Sequence, residues 1–319
     1  MTLRQKAAAV LVPVLVACCT LGCSDDRNET TADNATADNA TVVFEAITPC
    51  DPLSKPLPQI PDGVACEMTI WRITFAADRT FVLNAAYGVS QPNTTGIRDG
   101  GTKVDMTGDW STSVGTNADP HATVIALNDE RDAAHSILFV KINDDLLHLL
   151  DPQKRLMVGN GGWSYTLNRT GVSTARPPFG EATSIATAPS GATETPFETA
   201  GVYEGRTPCS EITHEFTKVP SGPQCQRIKW RLRVNAVSGS ATSGTYEFDG
   251  TETGRDGTWQ RVRGTRAHPS AVVLELDLGD GARFRLLHAD ANNLYVLDRD
   301  GELMVGDALL SYTLSRRAD

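Results

Sequence analysis

The sequence predicts an all-β protein made of two tandem, up-and-down meander β-barrels joined by a flexible linker. Three observations predict it. One arrangement of cysteine and tryptophan occurs twice: Thr48-Pro49-Cys50, Cys66 and Trp71-Arg72, then Thr207-Pro208-Cys209, Cys225 and Trp230-Arg231. Within each copy apolar and polar residues alternate with period two, as in a strand buried on one face. Short turn signals rich in Asp, Asn and Gly separate these runs. A constant offset of 159 also matches Val43 with Val202, Glu45 with Glu204, Pro61 with Pro220, Gly63 with Gly222 and Tyr87 with Tyr246. Two copies at so long a period are self-contained domains, not solenoid units, and a chain of 319 residues accommodates two.

In chain order, residues 1–22 read as a signal peptide, with Arg4 and Lys6 ahead of an apolar run from Ala7 to Ala17 that is too short for a membrane span. Leu21-Gly22-Cys23-Ser24 resembles the lipobox of bacterial lipoproteins, in which the cysteine is acylated, as by palmitate. Leu15-Val16-Ala17-Cys18 is the alternative, so lipidation is expected at Cys23 or else at Cys18. Residues 23–42 hold almost nothing that could enter a core and read as a disordered tether. Barrel 1 is expected over 43–170, a linker rich in Pro, Thr and Ser over 171–200, and barrel 2 over 201–317.

Strands in the first copy are expected around Trp71 to Phe75, Thr80 to Tyr87, Lys103 to Ser111, Ala122 to Asn128, Ser136 to Ile142, Leu146 to Leu150 and Trp163 to Arg169. Turns fall at Asp99-Gly100-Gly101, Asn143-Asp144-Asp145, Asp151-Pro152 and Asn160-Gly161-Gly162. In the second copy they fall at Asp249-Gly250, Asp256-Gly257, Gly279-Asp280-Gly281 and Asp300-Gly301. No amphipathic stretch of helical length stands out. Closing the meander removes edge strands that would otherwise pair between molecules; a sandwich is the other arrangement open to such strands.

Seven cysteines occur, three of them in the signal segment. Since a self-contained domain closes its own bridge, the expected disulfides are Cys50–Cys66 and Cys209–Cys225, as the secretory compartment permits. The net charge of −10 opposes nucleic acid, so the expected partners are a membrane through the N-terminal lipid and an envelope protein.

The residue order resembles the N-terminal domain of the NlpE envelope lipoproteins. The resemblance rests on the Pro-Cys entry, the Trp strand, Gly108-x-Trp110 with Gly257-x-Trp259, and Leu150-Asp151 with Leu297-Asp298. It also rests on Leu156-Met157-Val158-Gly159 with Leu303-Met304-Val305-Gly306, and on Tyr165-Thr166-Leu167 with Tyr312-Thr313-Leu314. It implies lipocalin-like barrels on a lipid-anchored periplasmic protein, at the outer membrane, serving envelope homeostasis or stress and copper-response signalling. The family's Cys-x-x-Cys is absent: Asp51-Pro52-Leu53 follows Cys50, and Ser210-Glu211-Ile212 follows Cys209. Its metal chemistry therefore loses support here.

No nucleophile elbow, phosphate loop or dinucleotide fingerprint occurs, so no enzyme and no cofactor is expected. His214, five residues after Cys209, is the best candidate metal ligand, weighed against an ordinary exposed loop histidine. Met68, Met106, Met157 and Met304 as thioether copper ligands are weighed against core packing. Asp151 and Asp298 are expected to cap turns. Arg72 with Arg231, and Arg169 with Arg316, are shared cations that could meet an anionic ligand. A carrier of a lipid or other small apolar ligand is the alternative function, since a barrel of about eight strands can be filled by side chains or hold one small molecule.

Overall fold

The computed structural model describes residues 41–50, 55–129, 132–171, 176–180, 199–219, 222–237, 242–250, 254–265 and 269–317; for residues 129 and 132–135 only the backbone is described. The expected signal peptide, Cys18, Cys23 and nearly all of the tether lie outside these residues. The described chain forms two closed antiparallel barrels of eight strands each, in sequential order around each ring.

Barrel 1 comprises β1 (Val42–Pro49), β2 (Met68–Phe75), β3 (Thr80–Gly88), β4 (Thr102–Val114), β5 (Thr123–Asp129), β6 (Asp132–Lys141), β7 (Leu146–Leu150) and β8 (Thr166–Thr170), and β8 closes on β1. Barrel 2 comprises β9 (Gly201–Thr207), helix α1 (Glu211–Thr217), β10 (Ile228–Ala236), β11 (Ser243–Asp249), β12 (Gly254–Arg263), β13 (Val272–Gly279), β14 (Ala282–His288), β15 (Asn293–Val296) and β16 (Thr313–Arg316), and β16 closes on β9. Alternation drives the strands: in β3, Phe81, Leu83, Ala85 and Tyr87 are buried, while the residues between them face outward. Both expected disulfides form, Cys50–Cys66 with Cα atoms 5.3 Å apart and Cys209–Cys225 at 6.0 Å.

The repeated Thr-Pro-Cys…Trp signature has a direct physical reason. Trp71 Nε1 donates to Thr48 Oγ1 at 2.8 Å, and Trp230 Nε1 donates to Thr207 Oγ1 at 2.9 Å. All four residues are buried, so each threonine supplies the acceptor its indole would lack in an apolar interior. Thr48→Ala is expected to cost about 1–3 kcal/mol through the orphaned donor, and Thr48→Ser much less. Urea midpoints of the two variants check this, and equal losses would refute the pairing. The Gly-x-Trp signature is also steric. A Cβ on Gly108 would sit 2.1 Å from the carbonyl oxygen of Asn128, and one on Gly257 would sit 2.9 Å from that of Asp277.

Three sequence expectations are corrected. Cross-strand register pairs Phe75 with Phe81 in barrel 1 and Val234 with Tyr246 in barrel 2, so Tyr246 is the counterpart of Phe81, not of Tyr87. The β10–β11 turn of the second copy is longer, which ends the 159-residue offset after β2. Asp256-Gly257 lies inside β12, not at a turn. A seven-residue helix, α1, also exists; Ser210 caps it by accepting from the Thr213 amide. So short a helix carries too few residues for a periodic signal.

Side chains plug both ends of barrel 1 and one end of barrel 2. Phe216 of α1 is fully buried in barrel 2 among Trp230, Tyr246, Phe248 and Phe284. Leu57, at the matching place in the disulfide loop of barrel 1, is buried in that barrel's core with Ile60. At the opposite end of barrel 1, Phe179 packs on Phe44, Phe75 and Trp110 with ring centroids 6.3, 4.7 and 5.2 Å away. Phe179 belongs to the segment expected to be a flexible linker; residues 181–198 of that segment lie outside the described residues.

Candidate functional site

Both barrels belong to one compact unit, and the seam between them is the most unusual environment in it. Outward-facing residues of barrel 1, Ala122, Val124, Val140, Ile142, Leu146, Leu150 and Leu156, form one buried cluster with Ala271, Val273, Leu287, Tyr295, Leu297 and Leu303 of barrel 2. Where these strands meet at the seam they are buried on both faces. All five residues of β7, Leu-Leu-His-Leu-Leu, are buried, and so are all four of β15.

Across this apolar layer runs a row of polar contacts between residues 147 positions apart. Ser164 Oγ meets Ser311 Oγ at 2.6 Å, and Thr166 Oγ1 meets Thr313 Oγ1 at 2.9 Å. Equivalent residues touching each other are the mark of an isologous, two-fold contact. Reciprocal contacts flank them: the Gly159 amide donates to Ser315 Oγ at 3.0 Å, and the Gly306 amide donates to Asn168 Oδ1 at 2.8 Å. Asn168 Nδ2 donates in turn to the Asp307 carbonyl at 2.8 Å. The two barrels thus form a pseudo-dimer within one chain.

One pair breaks the symmetry. His148 of β7 faces its counterpart Tyr295 of β15, and both are buried. His148 Nε2 lies 2.9 Å from the Met157 carbonyl, which can only accept, so Nε2 carries the proton. Nδ1 is left as the acceptor for the Tyr295 hydroxyl and the Thr166 hydroxyl, each at 2.9 Å. Burial disfavours the imidazolium and lowers the His148 pKa to about 4. Burial likewise pushes the Tyr295 phenol well above its ordinary value, and Asp290 adds to the rise. The pair is a neutral, hydrogen-bonded lock between barrels and has no solvent face on which to work as an acid or base. Sequence reasoning missed it. The available signal was the unbroken apolar run around His148, which marks a strand covered on both sides.

The residues singled out from sequence take structural places. His214 sits in α1, not in a loop, half-buried with Nδ1 on the Val219 carbonyl. Among the described residues no cluster of three or more His, Cys, Asp or Glu side chains could hold a metal ion. Asp151 Oδ1 accepts from the amides of Gln153 and Arg155, and Asp298 Oδ1 from those of Asp300 and Glu302, so both cap turns. Arg72 pairs with Glu45 at 2.5 Å and Arg231 with Glu204 at 3.5 Å. Arg169 reaches Asp145 at 3.4 Å, and Arg316 donates to the Ala200 carbonyl at 2.7 Å. The shared cations thus serve the shared sheet. A surface depression of about 240 Å³ on barrel 2 is lined in part by Glu275 and Arg285, which bind each other at 2.8 Å.

The fold and seam define the class: a tandem pair of closed eight-stranded antiparallel barrels fused through an internal pseudo-dimer interface. The chain matches no protein-family model, no curated protein and no solved structure.

Proposed function

We propose that this chain is a non-enzymatic, lipid-anchored module of a bacterial envelope, facing the periplasm at the outer membrane. In this reading it is NlpE-like in domain type and works through protein contact in envelope homeostasis or stress and copper-response signalling. The observation that carries the reading is internal packing. Trp71, Phe139, Leu83 and Tyr165 take up the interior of barrel 1, and Phe216, Trp230, Phe284 and Tyr246 that of barrel 2. Side chains so placed compete with a bound lipid for the same space, which leaves the outer surface as the working part. The perturbed histidine and tyrosine at the seam hold the barrels together and face no substrate. Attachment through Cys23, or else Cys18, follows from the lipobox-like sequence.

The full chain extracted from envelope membranes tests this by native mass spectrometry together with in-cell photo-crosslinking from outer-surface positions. The expected result is an acylated N-terminal cysteine, barrels free of ligand mass, and one reproducible protein adduct. A small apolar molecule retained in stoichiometric amount would instead establish the carrier.

A further inference from the structure

The outer faces of the two barrels differ at one matched place. In barrel 1 this place is apolar: Ile47 and Ile70 are cross-strand partners on β1 and β2, with Met68 beside them. The connection between β3 and β4 lays Ile97 over them and buries Ile47 and Met68. In barrel 2 the same positions hold Arg206 and Lys229, again cross-strand partners, with Arg227 beside them. The covering element is gone as well. Thirteen residues join β3 to β4, but only four join β11 to β12. What was a covered apolar face is an open basic one, with Arg227 and Lys229 exposed and Arg206 half-buried.

Four other strand cations of this barrel are matched by carboxylates: Arg231 by Glu204, Arg233 by Glu247, Arg283 by Asp277 and Arg285 by Glu275. Among the described residues no carboxylate pairs with Arg206, Arg227 or Lys229. Like charges directly opposite each other on neighbouring strands are unfavourable, and here they stand in a chain rich enough in acids to have a net charge of −10. The Arg206 Nε is buried without an acceptor. Burial, and then the Arg227 charge, pull the Arg206 guanidinium below its ordinary pKa. A bound oxyanion would sit between the two facing cations and engage the planar donor fork of arginine through its outer nitrogens.

We propose that Arg206, Arg227 and Lys229 form a binding site for a phosphate group, carried either by a small soluble molecule or by an anionic lipid headgroup. The site stands on this geometry alone and is independent of the function proposed above.

Two measurements on the full chain test it. Calorimetric titration with inorganic phosphate probes the group itself. Sedimentation with phosphatidylglycerol vesicles against phosphatidylcholine vesicles probes the headgroup, and the difference between the two cancels any contribution of the N-terminal segment. The test variant is Arg206→Gln/Arg227→Gln/Lys229→Gln. The single Lys229→Gln, at an exposed position, serves if the triple variant does not fold, and Arg233→Gln is the paired-cation control. Binding in either arm is expected to weaken about tenfold or more in the triple variant, and less in the single one, as charge-assisted hydrogen bonds are lost. It is also expected to fall steeply between about 50 and 200 mM salt. Phosphate binding without vesicle preference assigns a soluble ligand, and vesicle preference lost in the variant assigns a headgroup. No binding in either arm, or binding that the variants leave unchanged, overturns the proposal.

Discussion

Phe216→Ala is expected to destabilise barrel 2 by about 3–5 kcal/mol, the range for emptying an aromatic site in a packed core. Phe216 has no exposed surface, and its ring centroid lies 4.4 Å from that of Phe284, 5.1 Å from Phe248 and 5.2 Å from Trp230. These rings are held by strands from around the barrel, so the wall cannot collapse into the gap, and a large share of the cavity cost persists. The helix that delivers the ring is only seven residues long and has little stability of its own. Losing the ring therefore removes the main reason for α1 to stay docked. Phe216→Leu, which imitates Leu57 of barrel 1, is expected to lose much less. Urea unfolding followed by the fluorescence of Trp230, stacked on Phe216, reads both variants. A loss below about 1 kcal/mol for the alanine variant would show that α1 does not plug the barrel in solution.

Acid is expected to loosen the seam through His148. Its pKa is about 4 in the fold, against 6.5 for the free side chain, so the unfolded chain binds this proton more tightly. The stabilising contribution is complete above pH 6.5, declines as pH falls through 6.5, and is lost by about pH 4. The total is about 3 kcal/mol, because each tenfold difference in proton affinity between the folded and unfolded chain is worth about 1.4 kcal/mol. His288, lowered to about 4 by burial and then by the charge of Arg261, adds a second contribution of the same sign. Asp290 works the other way, since burial raises its carboxyl pKa and favours the protonated form in the fold. His148→Gln keeps an amide donor for the Met157 carbonyl and an oxygen for Tyr295 without the titration. It is expected to remove a major part of the stability lost between pH 7 and pH 4.5. Denaturant midpoints across that range check this, and an unchanged slope would exclude His148 as the acid-sensitive group.

Much of this molecule is legible in its residues. The doubled Thr-Pro-Cys…Cys…Trp-Arg arrangement carries the duplication, the disulfide pairing and the closed all-β architecture. Each of these depends on local spacing and period-two alternation, which the chain displays directly. The aspartate turn caps are legible for the same reason, since Asp151 and Asp298 bond to amides only two and four residues away. The correspondence beyond β2 is not legible. A longer turn and a shorter connection shift the offset, and only the ladder shows that Tyr246 takes the place of Phe81.

The seam is hidden for a different reason. Residues kept in both copies read as needs of the barrel, but Leu156 with Leu303, Gly159 with Gly306, and Thr166 with Thr313 are kept at the contact between barrels. A sequence repeat records that two positions share a constraint, without saying whether it comes from inside the domain or from its partner. By itself, the sequence determined that there are two barrels, each with its own disulfide, because alternation and spacing are properties of neighbouring residues. The tertiary structure alone decided that the barrels lock together around a buried His148–Tyr295 pair. It also decided that one matched outer face is covered and apolar while the other is open and basic, because both outcomes depend on which distant surfaces exclude water from each other.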